Sequence, residues 1–391
     1  MQKPQVVFTS DEYLEGTRMY KISGNYYIWL TRPSAGQYVL KSSAGPLGPY
    51  ECRRVVGAIC SPIPGSGHPH QGALVDTPRG DWYWVAFVDG YPAGRIPVLA
   101  PVSFDSEGWP EVDLESADGG GLWKLDYSSP MGVQDKTFSG GCSRVHRFNC
   151  DKLDHCWEWN HNPDNLKWRV EDGSLLLSTG SVTNSLYLAT NTLTHRTIGP
   201  KSMATFCLNW TKLRDGDRAG VCIFRDRSAY IGIHRDNGSA RLVYVDDLII
   251  EPFSIPVGWS NGHPVSLDWA TKSDGTIQAE ASLDTARVWL RVIADVRPAF
   301  SHGYELESRY AGFEYSFDGK EFRQLGPLFC LSNTADGFTG YRFGVFSFAT
   351  ISLGGHLVVH DCDIQSSSQL TELGLRGSSS EDPTSPEQLV I

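Results

Sequence analysis

The sequence lacks any long hydrophobic run, although 40% of its 391 residues are hydrophobic. No apolar stretch approaches the roughly 20 residues that a membrane span needs, so we expect no membrane partner. The amino terminus, MQKPQVVFTSDEY, has neither the basic segment nor the apolar segment of a signal peptide. The sequence therefore leaves the localisation of this chain open. For the complete protein we expect an extracellular localisation.

The chain has fewer basic residues than acidic ones. The chain has 34 Lys and Arg against 45 Asp and Glu, which gives a formal net charge of −11. A phosphate backbone is bound by concentrated positive charge, so this balance argues against a nucleic-acid partner.

The nine cysteines are widely spread, and none belongs to a C-x-x-C pair. This spacing predicts no zinc site. We expect most of the cysteines to be buried thiols. A disulfide between Cys150 and Cys156 is the alternative if the protein is secreted.

Glycine, proline and aromatic residues are abundant, and they indicate many short strands and turns. Residues 1–112 read as antiparallel strands, as in MYKISGNYYIWLTRP, where Ser23, Gly24 and Asn25 form a hairpin signal. This spacing is typical of propeller blades and also of sandwiches. Residues 113–142, rich in Gly, Ser and Asp, are predicted to be a linker.

Strand patterns resume over residues 143–365 and favour a two-sheet, jelly-roll-like sandwich. In RVWLRVIADV, for example, one face carries only apolar residues: Val288, Leu290, Val292 and Ala294. Residues 366–391 are rich in Ser, Pro and Glu and are predicted to be a disordered tail.

Several ordered segments carry a resemblance to a known family. LEGTRMYK from Leu14, GHPHQGALV from Gly67 and GRIPVLAPV from Gly94 are followed by WEWNHNPDNLKW and YRFGVFSFATISLGG. Together they resemble glycoside hydrolase family 43, of the β-xylosidase and α-L-arabinofuranosidase type. The resemblance implies an all-β fold: residues 1–112 would be the C-terminal part of a five-bladed propeller, and residues 143–365 a concanavalin A-like sandwich.

The resemblance also implies an activity, the inverting hydrolysis of xylosyl or arabinofuranosyl linkages in plant cell-wall oligo- or polysaccharides. Glu15 matches the general acid of the family, although Thr17 and Arg18 stand where Pro and His are common. His70 would contact water, a cation or the sugar, with His68 as the alternative match. Arg95 would hydrogen-bond the sugar, because its planar fork of donors suits vicinal hydroxyls.

The family's general base and a third, tuning carboxylate lie upstream of the segment that contains the acid. Asp11 and Glu12 are too close to Glu15 to act across a substrate from it. We therefore expect the chain to be truncated at its N-terminus and inactive without an upstream segment. The alternative is a non-catalytic, carbohydrate-binding sandwich with a vestigial half-propeller.

No cofactor is predicted. A structural calcium ion at Asp361 and Asp363, held together with the first strand of the sandwich, is the alternative considered. Trp82, Trp84 and Trp109 could be sugar platforms, but aromatic residues in such strands more often form blade cores, and we assign them there.

Overall fold

The computed structural model describes residues 4–33, 35–57, 59–117, 120–128, 144–148, 152–260, 263–301, 304–305, 307–335 and 338–366. The predicted tail, apart from Ser366, lies outside these residues, and so do positions 129–142 of the predicted linker. Within the described ranges every regular element is a strand, apart from one short 3-10 helix at Leu186–Leu188. The prediction of an all-β fold is confirmed.

Eleven strands precede residue 123. They are β1 (Glu15–Ile22), β2 (Asn25–Arg32), β3 (Gly36–Ser42), β4 (Glu51–Val56), β5 (Ile59–Cys60), β6 (His70–Asp76), β7 (Trp82–Asp89), β8 (Arg95–Phe104), β9 (Pro110–Val112), β10 (Glu115–Ala117) and β11 (Gly120–Leu122).

Eighteen strands follow. They are β12 (Arg144–Arg147), β13 (Trp157–Trp159), β14 (Trp168–Glu171), β15 (Ser174–Ser178), β16 (Leu193–Arg196), β17 (Lys201–Asn209), β18 (Asp217–Phe224), β19 (Arg227–Asp236), β20 (Ser239–Ser260), β21 (His263–Ser282), β22 (Arg287–Asp295), β23 (Phe300–Ser301), β24 (Tyr304–Glu305), β25 (Arg309–Ser316), β26 (Arg323–Gln324), β27 (Phe329–Leu331), β28 (Arg342–Ala349) and β29 (His356–Ser366).

The first part of the chain forms two four-stranded antiparallel sheets, which we call the first blade (β1-β2-β3-β4) and the second blade (β6-β7-β8-β9). The predicted hairpin between β1 and β2 is confirmed. Ile22 pairs with Asn25, and Ser23 and Gly24 both have positive φ, at 48° and 86°. Two successive residues with positive φ give the turn that matches the twist of antiparallel strands.

Tryptophans fill the space between the two blades. The rings of Trp29 and Trp84 lie 5.9 Å apart, and that of Trp123 lies 4.9 Å from Trp84. Trp84 and Trp109 are buried in this core, and half-buried Trp82 packs against it, as predicted. Burial of such large rings supplies much of the apolar area that holds the blades together.

The start of the predicted linker is structured. β10 and β11 pair with each other, and β11 pairs in parallel with β5. Because Trp123 is also buried among the blade tryptophans, this stretch packs on the blades rather than running free between domains.

The second part of the chain is a sandwich of a nine-stranded and a seven-stranded sheet. The larger has the order β14-β15-β29-β17-β22-β25-β26, with β12 paired to β29 and β27 to β25. The smaller has the order β13-β16-β28-β18-β19-β20-β21. All four predicted inward residues of β22 are fully buried: Val288, Leu290, Val292 and Ala294. The sandwich prediction is confirmed.

Blades and sandwich meet at the loop between β7 and β8 of the second blade. The amide of Ala299 donates to the carbonyl of Tyr91 at 2.8 Å, and the amide of Tyr341 donates to Pro92 at 3.1 Å. The guanidinium carbon of Arg225 lies 5.1 Å from the centre of the Tyr91 ring. These contacts join the second blade to the sandwich.

The cysteines are more exposed than predicted. The prediction that most cysteines are buried is wrong for those that the structure describes. Three are buried and Cys156 is half-buried, whereas Cys52, Cys60 and Cys330 are exposed. Cys142 and Cys150 lie outside the described residues. In the part of the chain that the structure describes, no helix has the length and apolar character to cross a membrane.

Candidate active site

Glu15 is the first residue of β1, and its carboxylate is half-buried. The pairing of β1 with β2 is irregular between Glu15 and Arg18, and Gly16 has a φ of 68°. Such a bulge turns a side chain away from its regular direction at the end of a strand. A Cβ at Gly16 would also crowd Thr31, so glycine fits this position for two reasons.

The carboxylate of Glu15 is held by two neighbours. The side-chain amide of Gln71 donates a short hydrogen bond to Oε1, and the hydroxyl of Tyr13 donates to Oε2 at 3.3 Å. Gln71 belongs to the second blade and lies 56 residues further along the chain. The two blades therefore meet at this carboxylate.

Gln71 is itself fixed by the core of the first blade. Its backbone amide donates to Oγ1 of Thr31 at 3.2 Å, and Thr31 is the cross-strand partner of Glu15. Thr31 Oγ1 also accepts from the amide of Gln37 at 2.6 Å, and Gln37 accepts from the indole of Trp29 at 2.9 Å. This buried chain of hydrogen bonds ends at Glu15, and connected buried networks rigidify the groups they join.

Next to Gln71, the structure brings His70, Asp89 and Arg95 together; we call this group the Asp89 cluster. His70 Nε2 lies 3.0 Å from Asp89 Oδ2, and Arg95 Nε donates to Asp89 Oδ1 at 3.2 Å. Because a carboxylate only accepts, Nε2 of His70 carries a proton. Nδ1 of His70 is buried and has no hydrogen-bond partner among the described residues.

Asp89 is the ionised centre of this cluster. Burial acts to raise the pKa of Asp89, but the hydrogen bond from His70 and the positive charge of Arg95 outweigh that effect. The pKa of Asp89 therefore lies below its ordinary value, and the carboxylate stays charged in mild acid.

Two phenylalanines frame the cluster. The ring of Phe87 is 4.5 Å from His70 in an edge-on arrangement and 4.3 Å from the Arg95 guanidinium. Phe338, which comes from the sandwich, covers the guanidinium at 4.3 Å. Arg95 is thus sandwiched between two rings, and a cavity of about 670 Å³ beside it is lined by both parts of the chain.

The alternative histidine lies elsewhere. His68 Nδ1 is 2.6 Å from the carbonyl oxygen of Ile59, an ordinary backbone contact. His70 is the first residue of β6, next to Gln71, and its ring contacts Asp89. The geometry favours His70 over His68, and the roles of Glu15, His70 and Arg95 stay predictions.

Sequence reasoning missed Gln71, Asp89 and Phe338. Asp89 had a signal, since it ends the otherwise aromatic and apolar strand WYWVAFVD, where a charged residue is unexpected. Phe338 also has an unusual feature, a φ of 57°, but nothing in the sequence links it to Arg95.

The described residues provide no further acidic, His or Cys ligand for a calcium ion at Asp361 and Asp363. Asp361 faces Arg147 across the β12–β29 pair, and Asp363 accepts a hydrogen bond from Gln365 at 2.7 Å. Among the described residues, no third His, Cys or acidic side chain groups with the two aspartates. The calcium ion stays a prediction without structural support.

Paired blades followed by a two-sheet sandwich, with a half-buried glutamate where the blades meet, are the architecture expected of the family named above. The sequence profile of the β-xylosidase C-terminal concanavalin A-like domain matches residues 145–357. The chain belongs to this family, and the resemblance to glycoside hydrolase family 43 is confirmed.

Individual relatives also point to glycoside hydrolase family 43. A solved family 43 glycoside hydrolase, engineered to display both endo-xylanase and exo-arabinofuranosidase activity, superimposes with a TM-score of 0.82 at 42% identity, over 93% of this chain and 68% of that one. A β-xylosidase of Formosa agariphila is 25% identical over an alignment that covers 88% of this chain and 58% of the relative. A non-reducing end α-L-arabinofuranosidase of Bacteroides ovatus is 35% identical over 111 residues, 25% of this chain and 21% of the relative. The chain thus spans little more than half of the Formosa relative.

Proposed function

We propose that the chain is part of an inverting glycoside hydrolase that cleaves xylosyl or arabinofuranosyl linkages. The observation that carries the proposal is the placement of Glu15, half-buried and held by Gln71, beside the Asp89 cluster. Relatives with β-xylosidase and arabinofuranosidase activity supply the substrate class.

Glu15 would act as the general acid. Its role is to protonate the glycosidic oxygen as the bond to the sugar breaks, while a second carboxylate activates water on the opposite face. In an inverting enzyme the two carboxyl groups lie roughly 6.5–9.5 Å apart, which leaves room for that water. We assign the base to no residue of this chain, since Asp89 is committed to His70 and Arg95.

The Asp89 cluster would bind the sugar. Asp89 fixes the orientation of Arg95, which then offers its remaining N–H groups to adjacent hydroxyls. Nδ1 of His70 is buried and has no hydrogen-bond partner in the part of the chain that the structure describes. Buried polar atoms of this kind are normally satisfied by water or a ligand, and a sugar hydroxyl meets that need.

The test uses the complete product of the gene that encodes these 391 residues. Glu15→Gln should lower kcat/KM on arabinoxylan by about 10²–10⁴-fold, the usual contribution of a general acid. The loss should be much smaller on a dinitrophenyl xyloside or arabinofuranoside, because that leaving group needs no proton. Glu12→Gln, an exposed neighbour paired with Arg32, is the matched control. An unchanged rate on the polysaccharide in Glu15→Gln would refute the assignment.

A second candidate function is sugar binding by the sandwich itself. A cavity of about 440 Å³ is lined by Trp159, His161, Asp226 and Trp269. Aromatic faces beside a few polar groups are typical of ligand sites. Titration of the chain with xylo- and arabino-oligosaccharides tests it: binding that survives Glu15→Gln and Arg95→Ala but is lost in Trp269→Ala favours this candidate.

A further inference from the structure

A histidine–cysteine cluster lies inside the sandwich, away from the Asp89 cluster. It consists of His146, Cys156 and His195, whose ligand atoms all lie within 4.8 Å of one another. Both histidines are buried, and Cys156 is half-buried. We propose that His146, Cys156 and His195 form a binding site for a zinc ion that links the two sheets of the sandwich.

The three residues come from different parts of the fold. His146 is on β12, which pairs with β29 in the nine-stranded sheet. His195 is on β16 of the seven-stranded sheet, and Cys156 directly precedes β13, the edge strand that pairs with β16. An ion held by all three would connect one sheet to the other at a point where both sheets end.

The distances suit a tetrahedral ion. The sulfur of Cys156 lies 3.8 Å from Nδ1 of His146. Zinc bonds of about 2.3 Å to sulfur and 2.0–2.1 Å to nitrogen place two neighbouring ligand atoms about 3.5 Å apart. Small side-chain rotations would therefore bring the cluster to zinc geometry.

The tautomer of His195 suits a ligand as well. Its Nδ1 lies 2.8 Å from the carbonyl oxygen of Arg196. Because a carbonyl only accepts, Nδ1 carries the proton and Nε2 carries the lone pair that a metal needs. Zinc-bound histidines commonly donate their other N–H to a backbone carbonyl in this way, which fixes the ring.

The surroundings restrain the rings. Trp157 packs edge-on against both histidines, with ring centres 5.2 Å away in each case, and the histidine rings are 5.1 Å apart. A thiolate with two imidazoles is a donor set that selects zinc over calcium or magnesium. On binding, the Cys156 thiol releases its proton to solvent as the zinc–sulfur bond forms, and a water molecule would complete the four ligands.

The spacing of the cysteines in the sequence could not reveal this site. The expectation of no zinc site depended on the absence of C-x-x-C pairs, but the three ligands here lie 10 and 39 positions apart along the chain. The pairing of β12 with β29 and of β13 with β16 places them within their own sheets, and the packing of the two sheets brings them together. The proposal does not depend on the proposed glycosidase activity.

The test uses the full chain without a polyhistidine tag, stripped of metal under reducing conditions, loaded with Zn²⁺ and dialysed. Elemental analysis should find about one zinc ion per chain. Cys156→Ser and His195→Gln should each weaken zinc binding by at least about 100-fold, since even the loss of an outer partner costs 10–100-fold. The controls Cys330→Ser and His155→Gln, both exposed, should keep the zinc.

Cobalt provides a spectroscopic readout on the wild-type chain. Co²⁺ added to the metal-free wild-type chain should give a thiolate-to-cobalt charge-transfer band in the near ultraviolet, and Cys156→Ser should lack it. Zinc should also raise the Tm of the wild-type chain. Three results would each overturn the proposal: no zinc retained by the wild type, full retention by Cys156→Ser, or a Cys150–Cys156 disulfide found by peptide mass mapping.

Discussion

Asp89 Oδ2 lies 3.0 Å from Nε2 of His70, and the other oxygen of the same carboxylate accepts from Arg95. One carboxylate thus orients both residues that the sequence assigns to sugar binding. The pairing follows from the second blade, where Asp89 and Arg95 are cross-strand partners across the β7–β8 hairpin.

Asp89→Asn tests this relationship. The amide keeps the size of the side chain but removes the charge that pairs with Arg95. We therefore expect KM for xylosides or arabinofuranosides to rise by about tenfold or more, which corresponds to a loss of roughly 1.4 kcal/mol in binding free energy. Steady-state kinetics on the complete gene product measures it. Asp81→Asn, in the exposed β6–β7 turn, is the control. An unchanged KM in Asp89→Asn would show that Arg95 is oriented by other contacts.

Gln71→Ala tests the positioning of Glu15. The substitution removes the amide that fixes Oε1, and a misplacement of about 1 Å can cost roughly 10²-fold in rate. We expect kcat on arabinoxylan to fall by about 10- to 100-fold, with a smaller change in KM. Gln278→Ala, at an exposed residue of β21, should leave both constants unchanged. Equal losses on polysaccharide and on dinitrophenyl glycosides would speak against a role through the acid.

Gly340→Ala tests the contact between blades and sandwich. A Cβ at this position would collide with the carbonyl oxygen of Ala93, and a Cβ at Gly94, which has a φ of 98°, would lie 2.5 Å from the amide nitrogen of Gly340. Overpacking of this kind costs about 1–3 kcal/mol, which we expect as a lower unfolding midpoint in urea. Gly180→Ala, where an added Cβ would meet its neighbours at 3.7 Å, should change the midpoint little. If Gly340→Ala behaves like Gly180→Ala, the two parts adjust freely at this contact.

His234 predicts how stability depends on pH. Burial, followed by the charges of Arg218 and Arg241, lowers the pKa of His234 to about 3. As the pH falls below about 6.5, His234 of the unfolded chain therefore becomes protonated, while His234 of the folded chain stays neutral. The free energy of unfolding is highest above pH 6.5 and falls as the pH drops towards 3. At pH 5 the loss is about 2 kcal/mol, at 1.36 kcal/mol per pH unit.

His234→Gln should remove this part of the acid sensitivity. Glutamine does not titrate, and it can still reach Tyr230, whose hydroxyl lies 2.9 Å from His234 Nε2. Urea unfolding at pH 7.5 and pH 5 measures the difference, with the exposed His155→Gln as control. An unchanged slope with pH in His234→Gln would mean that other groups cause the acid sensitivity.

Local patterns predicted the strands well. The β1–β2 hairpin needed only Ser23 and Gly24, which accept positive φ. The buried face of β22 needed only its alternation, because successive side chains of a strand point to opposite faces.

Contacts between distant segments could not be predicted from local sequence patterns. The hydrogen bond between Gln71 and Glu15 joins two blades, and the cover of Arg95 by Phe338 joins the second blade to the sandwich. Such contacts depend on how sheets pack, and side-chain alternation carries no information about which sheet lies opposite. The exposure of Cys52 and Cys330 was missed for the same reason.

The sequence by itself determined the strand-rich fold, the two-part organisation and the family. It also singled out Glu15, His70 and Arg95 as residues to examine. Only the tertiary structure decided that Asp89 joins His70 to Arg95, that Gln71 holds Glu15, and that two histidines and Cys156 meet between the sheets. The physical reason is that hydrogen bonds and metal ligation act over about 2–4 Å, and only packing brings residues far apart in the chain within that range.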